Sequence, residues 1–348
     1  MTRSPALRIC SLDSALARRQ TQIFAEGLAE KLPHCSAHIQ TVASPLKEED
    51  KAEESFLAAS PAEMAHLTDM LRRGAADAVV AAAADLVLPL AEDLQIACVP
   101  PRATPFDALL NRQGLIMDDL AAGCRIGVLT LRAKTQMQKL WPDLSFEIIR
   151  GGVDRALATH LRQSEIEGLV LPAAITEHLG IQGIVTEIFS PEFLLPGPTQ
   201  GLLAVLGRAD DDKLARLLQP LHSRPSAVEL KAEQAFQMRL VKDQELPVGV
   251  LAKVRGREIS VTCTTGAGAS RLRGDGYIDE AEMVGQNLAD HVLQSVDSFL
   301  ELLEADFPEG LPDEDYDPDE ATDDDFLDDY ADDLLDLEAE DGNDPDQP

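Results

Sequence analysis

Five cysteines, Cys10, Cys35, Cys98, Cys124 and Cys263, are the nucleophiles and soft metal ligands that the chain offers. They contain no CxxC pair, and so odd and scattered a set supplies neither a disulfide framework nor a zinc site. Buried structural thiols in a reducing, cytoplasmic setting are the expectation. Asp85 is a second candidate: it ends the apolar run 78–84, which makes it a carboxylate at the mouth of a buried strand. Arg132 and Arg150 carry rigid guanidinium forks that match carboxylates, or that serve equally well in surface ion pairs.

The elements that must position these groups follow from periodicity. Residues 14–31 place Leu16, Phe24 and Leu28 on one helical face, and residues 61–73 do the same with Met64, Leu67 and Leu71 until Gly74 stops the helix. Between and after them lie strands at 37–42 and 78–84. This alternation predicts a parallel sheet flanked by helices. The stiff segment Pro100-Pro101-Arg102-Ala103-Thr104-Pro105 is a candidate hinge, after which the alternation restarts: strand 125–129, helix 131–140, strand 146–149, helix 153–161, strand 169–171. A second break at 191–198 holds three prolines, and strand 202–207 follows.

Two breaks around a complete α/β unit imply an inserted domain with two crossings. The expected class is therefore α/β in three domains. Domain 1 comprises residues 1–102 and 199–222, and domain 2 comprises 103–198. Domain 3, residues 223–306, is α+β, with a helix to about residue 240, strands 248–254, 258–264 and 271–277, and a last helix from about 280 to 304.

The charge is uneven. Residues 307–348 hold 20 Asp/Glu and no Lys or Arg, whereas the preceding 306 residues hold the other 42 acids and all 30 bases. The tail is expected to be disordered when free. Its Phe326, Leu327, Tyr330, Leu334, Leu335 and Leu337 recur at helical spacing, which suits either a solvating tail or docking on a protein partner. No basic stripe marks a nucleic-acid binder. No apolar window of 18 residues marks a membrane span, and no apolar core in the first ten residues marks a secretory leader. A cytoplasmic monomer is the expectation.

Several short motifs, in order, resemble the porphobilinogen deaminase (hydroxymethylbilane synthase) family over residues 8–305. Ile126-Gly127 with Thr130-Leu131-Arg132 is similar to the family's GTSSLRR, and Ile149-Arg150-Gly151-Gly152-Val153-Asp154 to LRGNVDTRL. The stretch from Leu195 to Gly201 is similar to LPAVGQG, and Glu233-Gln234-Ala235-Phe236 with Leu246-Pro247-Val248-Gly249 to ERAF…QVPIG. The resemblance implies two periplasmic-binding-protein-like α/β domains with a hinge, plus an α+β domain holding a three-stranded antiparallel sheet. It also implies a transferase of tetrapyrrole, and so of porphyrin and heme, biosynthesis. Such an enzyme condenses four porphobilinogens with release of ammonia, on a dipyrromethane cofactor held by a cysteine thioether.

The resemblance further implies that Asp85 is the catalytic carboxylate, that Ser14 and Arg132 contact the cofactor, and that Gln20, Arg150 and Gln200 contact substrate. The departures fall on the chemistry. Counting back three residues from Pro247 puts Gln244 where the family has its attachment cysteine, and a carboxamide forms no thioether. Cys263, the nearest later thiol, reads as a core residue. Beside Asp85 the family's His, Ser and Lys are Ala81, Ala82 and Ala84, so the acid should protonate more easily and be less firmly oriented. Leu12, Ala133, Ala156 and His178 stand where the family has arginines. No covalently bound dipyrromethane is expected.

Three readings stay open at this point. The chain is a catalytically impaired member, a pseudoenzyme keeping a cleft for porphobilinogen or another small pyrrole or carboxylate. Or it is an active synthase whose primer is non-covalent or attached elsewhere. Or it is an interaction protein working through its acidic tail.

Overall fold

The computed structural model describes residues 6–51, 57–162, 166–240, 247–265 and 270–306. Gln244 and the acidic tail with its Phe326, Tyr330 and Leu334 therefore lie outside the described residues. One compact unit spans Met1–Val296.

Within it the strands are β1 (Ala6–Leu12), β2 (Ser36–Val42), β3 (Ala78–Ala82), β4 (Leu94–Cys98), β5 (Asp107–Asn111), β6 (Arg125–Val128), β7 (Ser145–Ile148), β8 (Gly168–Pro172), β9 (Val185–Ile188), β10 (Leu203–Arg208), β11 (Val250–Arg255), β12 (Glu258–Thr265) and β13 (Ser270–Tyr277). The helices are α1 (Ala15–Lys31), α2 (Glu48–Lys51), α3 (Pro61–Arg72), α4 (Leu131–Leu140), α5 (Gly152–Arg162), α6 (Ala173–Leu179), α7 (Asp212–Leu218), α8 (Arg224–Leu240) and α9 (Ala281–Asp306).

Two five-stranded sheets share one plan. The first has the order β2-β1-β3-β10-β4 and the second β7-β6-β8-β5-β9. In each, the first three strands run parallel, as the alternation predicted. The fourth does not: β10 is antiparallel to β3 and β4, and β5 is antiparallel to β8 and β9. The purely parallel expectation is thus corrected to mixed sheets. The reason is the crossings. β5 and β10 are each the first strand after the chain passes from one sheet to the other, so they enter from the cleft, toward which β3 and β8 run.

Both faces of the first sheet are covered, so β3 is apolar throughout. Val79 and Ala81 pack with Met64, Leu67 and Leu71 of α3, while Ala78 and Val80 pack with Phe24, Leu28, Leu214 and Leu218 of α1 and α7. Helix starts follow local chemistry. Ser14 caps α1 by accepting from the Ala17 amide at 3.3 Å, and Ser60 with Glu63 forms a capping box on α3, with Pro61 at its first position.

The remaining strands form the antiparallel meander β11-β12-β13. Val250, Ala252, Ile259, Val261 and Cys263 face Phe236 of α8 and Val284, Leu288 and Val292 of α9. Cys263 is fully buried, and burial pushes its thiol up to about 12, as suits a core residue. No helix among the described residues is long and apolar enough to cross a membrane, and no cluster of His, Cys, Asp or Glu among them could hold a metal.

Candidate functional site

The strand ends that face one another across the two sheets border two half-open chambers. The first, about 420 Å³, is lined by Asp85 after β3, Asp107 of β5, Arg132 and Ala133 of α4, and Gly197 and Gln200 of the second crossing, with Leu86, Leu129, Val170 and Leu171 as apolar walls. The second, about 540 Å³, lies among Asp13, Ser14, Glu63 and the Gly151–Arg155 turn that starts α5. Leu57 lines both.

Asp85 is more firmly held than its sequence context implied. Its Oδ1 accepts from the Leu57 amide at 2.7 Å, and its Oδ2 from the amides of Ala58 at 2.7 Å and Ala59 at 3.1 Å. The expectation of a weakly oriented acid is therefore corrected: three successive backbone N–H groups, which have no side-chain signature, orient it. Burial, opposed by those bonds and reinforced by the charge of Glu63, raises its pKa to about 6.

Arg132 is no surface residue. Its side chain is 7% exposed; Nη2 donates to both carboxylate oxygens of buried Asp107 at 3.0 and 3.1 Å, and Nη1 donates to the Leu195 carbonyl at 2.7 Å. Gln200 donates to the Pro105 carbonyl and to Asp107, and accepts from the Gly197 amide. Asp85, Arg132 and Gln200 are thus brought together in one chamber.

Ser14 lines the other chamber, where its Oγ is engaged as the α1 cap. Gln20 lines neither; it is buried against His178, with its Nε2 3.5 Å from the His178 ring, where α1 meets α6. Arg150 is exposed and also lines neither chamber. Leu12, Ala133, Ala156 and His178, at the positions of family arginines, are all buried and built into the packing. Sequence reasoning missed Asp107, which lies in a strand that periodicity did not reveal. It also missed Arg102, whose guanidinium pairs with fully buried Glu233 at 2.7 Å and 3.1 Å.

Two like α/β halves facing each other across a cleft, joined by two crossings and followed by an αβββα module, define a bilobed cleft protein. Residues 7–216 match the family model described as "Porphobilinogen deaminase, dipyromethane cofactor binding domain". The porphobilinogen deaminase of Thermus thermophilus is 33% identical over 290 residues, covering 81% of this chain and 93% of its own. That of Syntrophus aciditrophicus is 30% identical over 298 residues, covering 86% and 94%. That of Roseiflexus sp. (strain RS-1) is 36% identical over 230 residues, covering 65% and 76%. The chain belongs to the porphobilinogen deaminase family. Among solved structures, the methionine-binding protein MetQ aligns over 63% of this chain and 90% of its own, with a TM-score of 0.39 and 13% identity.

The described residues do not fit a carboxylate-rich dipyrromethane. Charged groups lining the first chamber are Asp85, Asp107 and Arg132, and the single cation is already neutralised by Asp107. Those lining the second are Asp13, Glu63, Asp154 and Arg155. Acids outnumber bases in both chambers.

Proposed function

We propose that this chain is a porphobilinogen deaminase-family protein of tetrapyrrole biosynthesis, acting in the cytoplasm, that carries no covalent dipyrromethane and is impaired as a hydroxymethylbilane synthase. The observation that supports this most is the sign of the cleft, where five acids face two bases and one of those bases is paired internally. A polyanion gains about 1.5–3 kcal/mol per hydrogen bond to a charged group, so a lining that offers little beyond the Arg155 guanidinium forfeits several decades of affinity. The carboxamide of Gln244 at the attachment position argues in the same direction. What remains is a mostly apolar first chamber beside an acid-lined second one, suited to a small pyrrole or a singly charged ligand.

The test is an intact mass of the protein expressed beside a working pathway, together with acid treatment with Ehrlich's reagent. The expected result is the unmodified mass and no dipyrromethane colour; an adduct on any residue overturns the proposal. Gln244→Cys alone is expected to leave hydroxymethylbilane formation undetectable, because Leu12, Ala84, Ala133 and Ala156 still leave the carboxylates uncompensated.

One observation favours a second reading, an active enzyme with a differently held primer: Asp85 titrates at about 6, close to where a general acid or base works best. Turnover by the wild-type protein without any adduct would select that reading. A role carried by the acidic tail through a protein partner predicts instead that deletion of residues 308–348 abolishes function while the cleft's ligand binding is kept.

A further inference from the structure

The segment Leu57-Ala58-Ala59 crosses the cleft as a strap. On one side it is tied to the first sheet, because all three of its amides donate to Asp85 at 2.7–3.1 Å. On the other it is tied to the second lobe, because the Leu57 carbonyl accepts from the Val153 amide at 3.2 Å. At its C-terminal end it runs straight into the capping box of α3. Leu57 lines both chambers, Ala58 only the larger and Ala59 only the smaller. The strap is therefore the wall between them. Ala58 and Ala59 are 6% and 5% exposed, so the wall is packed into the protein.

This changes what the carboxylate can do. A carboxylate offers about four acceptor positions, and three backbone N–H groups already hold Asp85. One position on Oδ1 is left, too few to bridge the N–H groups of two rings at once.

We propose that Asp85 is a positioning residue, the latch of a strap that divides the cleft into two chambers, each open to a small ring ligand such as a flat N–H heterocycle, and that excludes a linear chain of rings long enough to need both. The smaller chamber, about 420 Å³, sits in the lower part of the range of roughly 300–1,000 Å³ usual for small-molecule sites. Its walls of Leu86, Leu129, Val170 and Leu171 suit an uncharged ring. The inference rests on the reading above only in that the cleft does not serve a polyanionic chain. Its test does not depend on whether a dipyrromethane adduct is found.

The experiment uses the full chain and two readouts. The first is hydrogen exchange at the amides of Leu57, Ala58 and Ala59 in wild type and in Asp85→Ala. The second is binding of two probes, indole as a single ring system and biliverdin as a linear tetrapyrrole.

Wild type should protect the strap amides, bind indole and exclude biliverdin. Asp85→Ala should exchange the three amides at least tenfold faster and admit biliverdin. Unchanged protection in Asp85→Ala overturns the latch. Faster exchange with biliverdin still excluded, or biliverdin bound equally by wild type, overturns the confinement. Should Asp85→Ala fail to fold, Val153→Pro is read by the same two measurements. It removes the other tether, and proline is tolerated in the first turn of α5, where that N–H has no helical partner.

Discussion

The carboxyl of Asp85 is raised from 3.8 to about 6 although three amides point at it, because burial outweighs those bonds and Glu63 adds repulsion. The sign of the consequence is set by linkage. Between these two values the folded protein keeps a proton that the unfolded chain has lost. This group's stabilising contribution is therefore full below pH 3.8 and is lost as pH rises through 6. A rise of that size corresponds to about 3 kcal/mol. His160, His178 and His222, whose pKa values burial lowers, act in the opposite sense: their contribution is present above 6.5 and is lost as pH falls below it. A difference measurement separates the two. Relative to Asp85→Asn, wild type should gain about 2–3 kcal/mol between pH 7 and pH 4, read by urea unfolding through Trp141, the single tryptophan. Parallel stability curves for the two proteins would remove the assignment. At this scale the sequence was informative where a residue acts on its own neighbourhood, as Gly74 does in ending α3. It was silent where partners are backbone groups or lie far away, as with the strap amides around Asp85 or Asp107, 25 positions from Arg132.

Elements with a strong period were legible: α1, α3, α4 and α5, the two-faced strand β3 and the closing meander all lie within a few residues of their expected bounds. The strands that escaped were β1, β4, β5 and β9. β4 and β5 are short and abut the Pro-rich hinge, and β9 is a partly exposed edge with no alternation to betray it. Close helix approach was not legible at all, since it depends on a glycine whose neighbour is 53 residues away. A Cβ on Gly285 of α9 would lie 2.1 Å from the carbonyl oxygen of Ala232 in α8 and 3.2 Å from the Phe236 amide nitrogen. Both are backbone atoms that only a shift of the whole helix can relieve. Alanine gains about 1 kcal/mol of helix propensity over glycine, whereas overpacking costs about 1–3 kcal/mol or more. At so short a separation the second effect wins. Gly285→Ala is expected to lower the urea midpoint, while Gly183→Ala, which meets nothing within 4 Å, should leave it in place. A Gly285→Ala protein as stable as wild type would mean that α8 and α9 do not meet so closely.

For the molecule as a whole, the crossings between the two sheets are fastened to the third module by one buried cation. Arg102, 8% exposed at its side chain, lies in the first crossing; Glu233, fully buried, lies in α8. The carboxylate of Glu233 also accepts from Thr199 in the second crossing at 2.6 Å and from Ala252 in β11 at 2.7 Å, so a single side chain gathers both crossings and the meander. Glu229 adds a second, longer contact to Arg102 at 3.5 Å, and the Gln200 carbonyl accepts from Arg102 Nε at 2.9 Å. Gly249 reinforces the joint, since a Cβ there would lie 2.6 Å from the Leu195 carbonyl oxygen. Such a network makes the lobes and the α+β module unfold together, because none can part without stranding a buried charge. Removing one partner of a buried pair costs about 3–5 kcal/mol, mostly through the charge left behind. Glu233→Gln keeps the shape and one acceptor oxygen but leaves the guanidinium with only Glu229 and carbonyls. Calorimetry of wild type should give one cooperative transition. Glu233→Gln should melt lower and split into two transitions, with the α8–α9 module leaving first and exchange rising across β11–β13. If the variant instead melts in a single transition at the wild-type temperature, the Arg102–Glu233 pair does not hold the three parts together, and the joint must rest on the packing around Gly249.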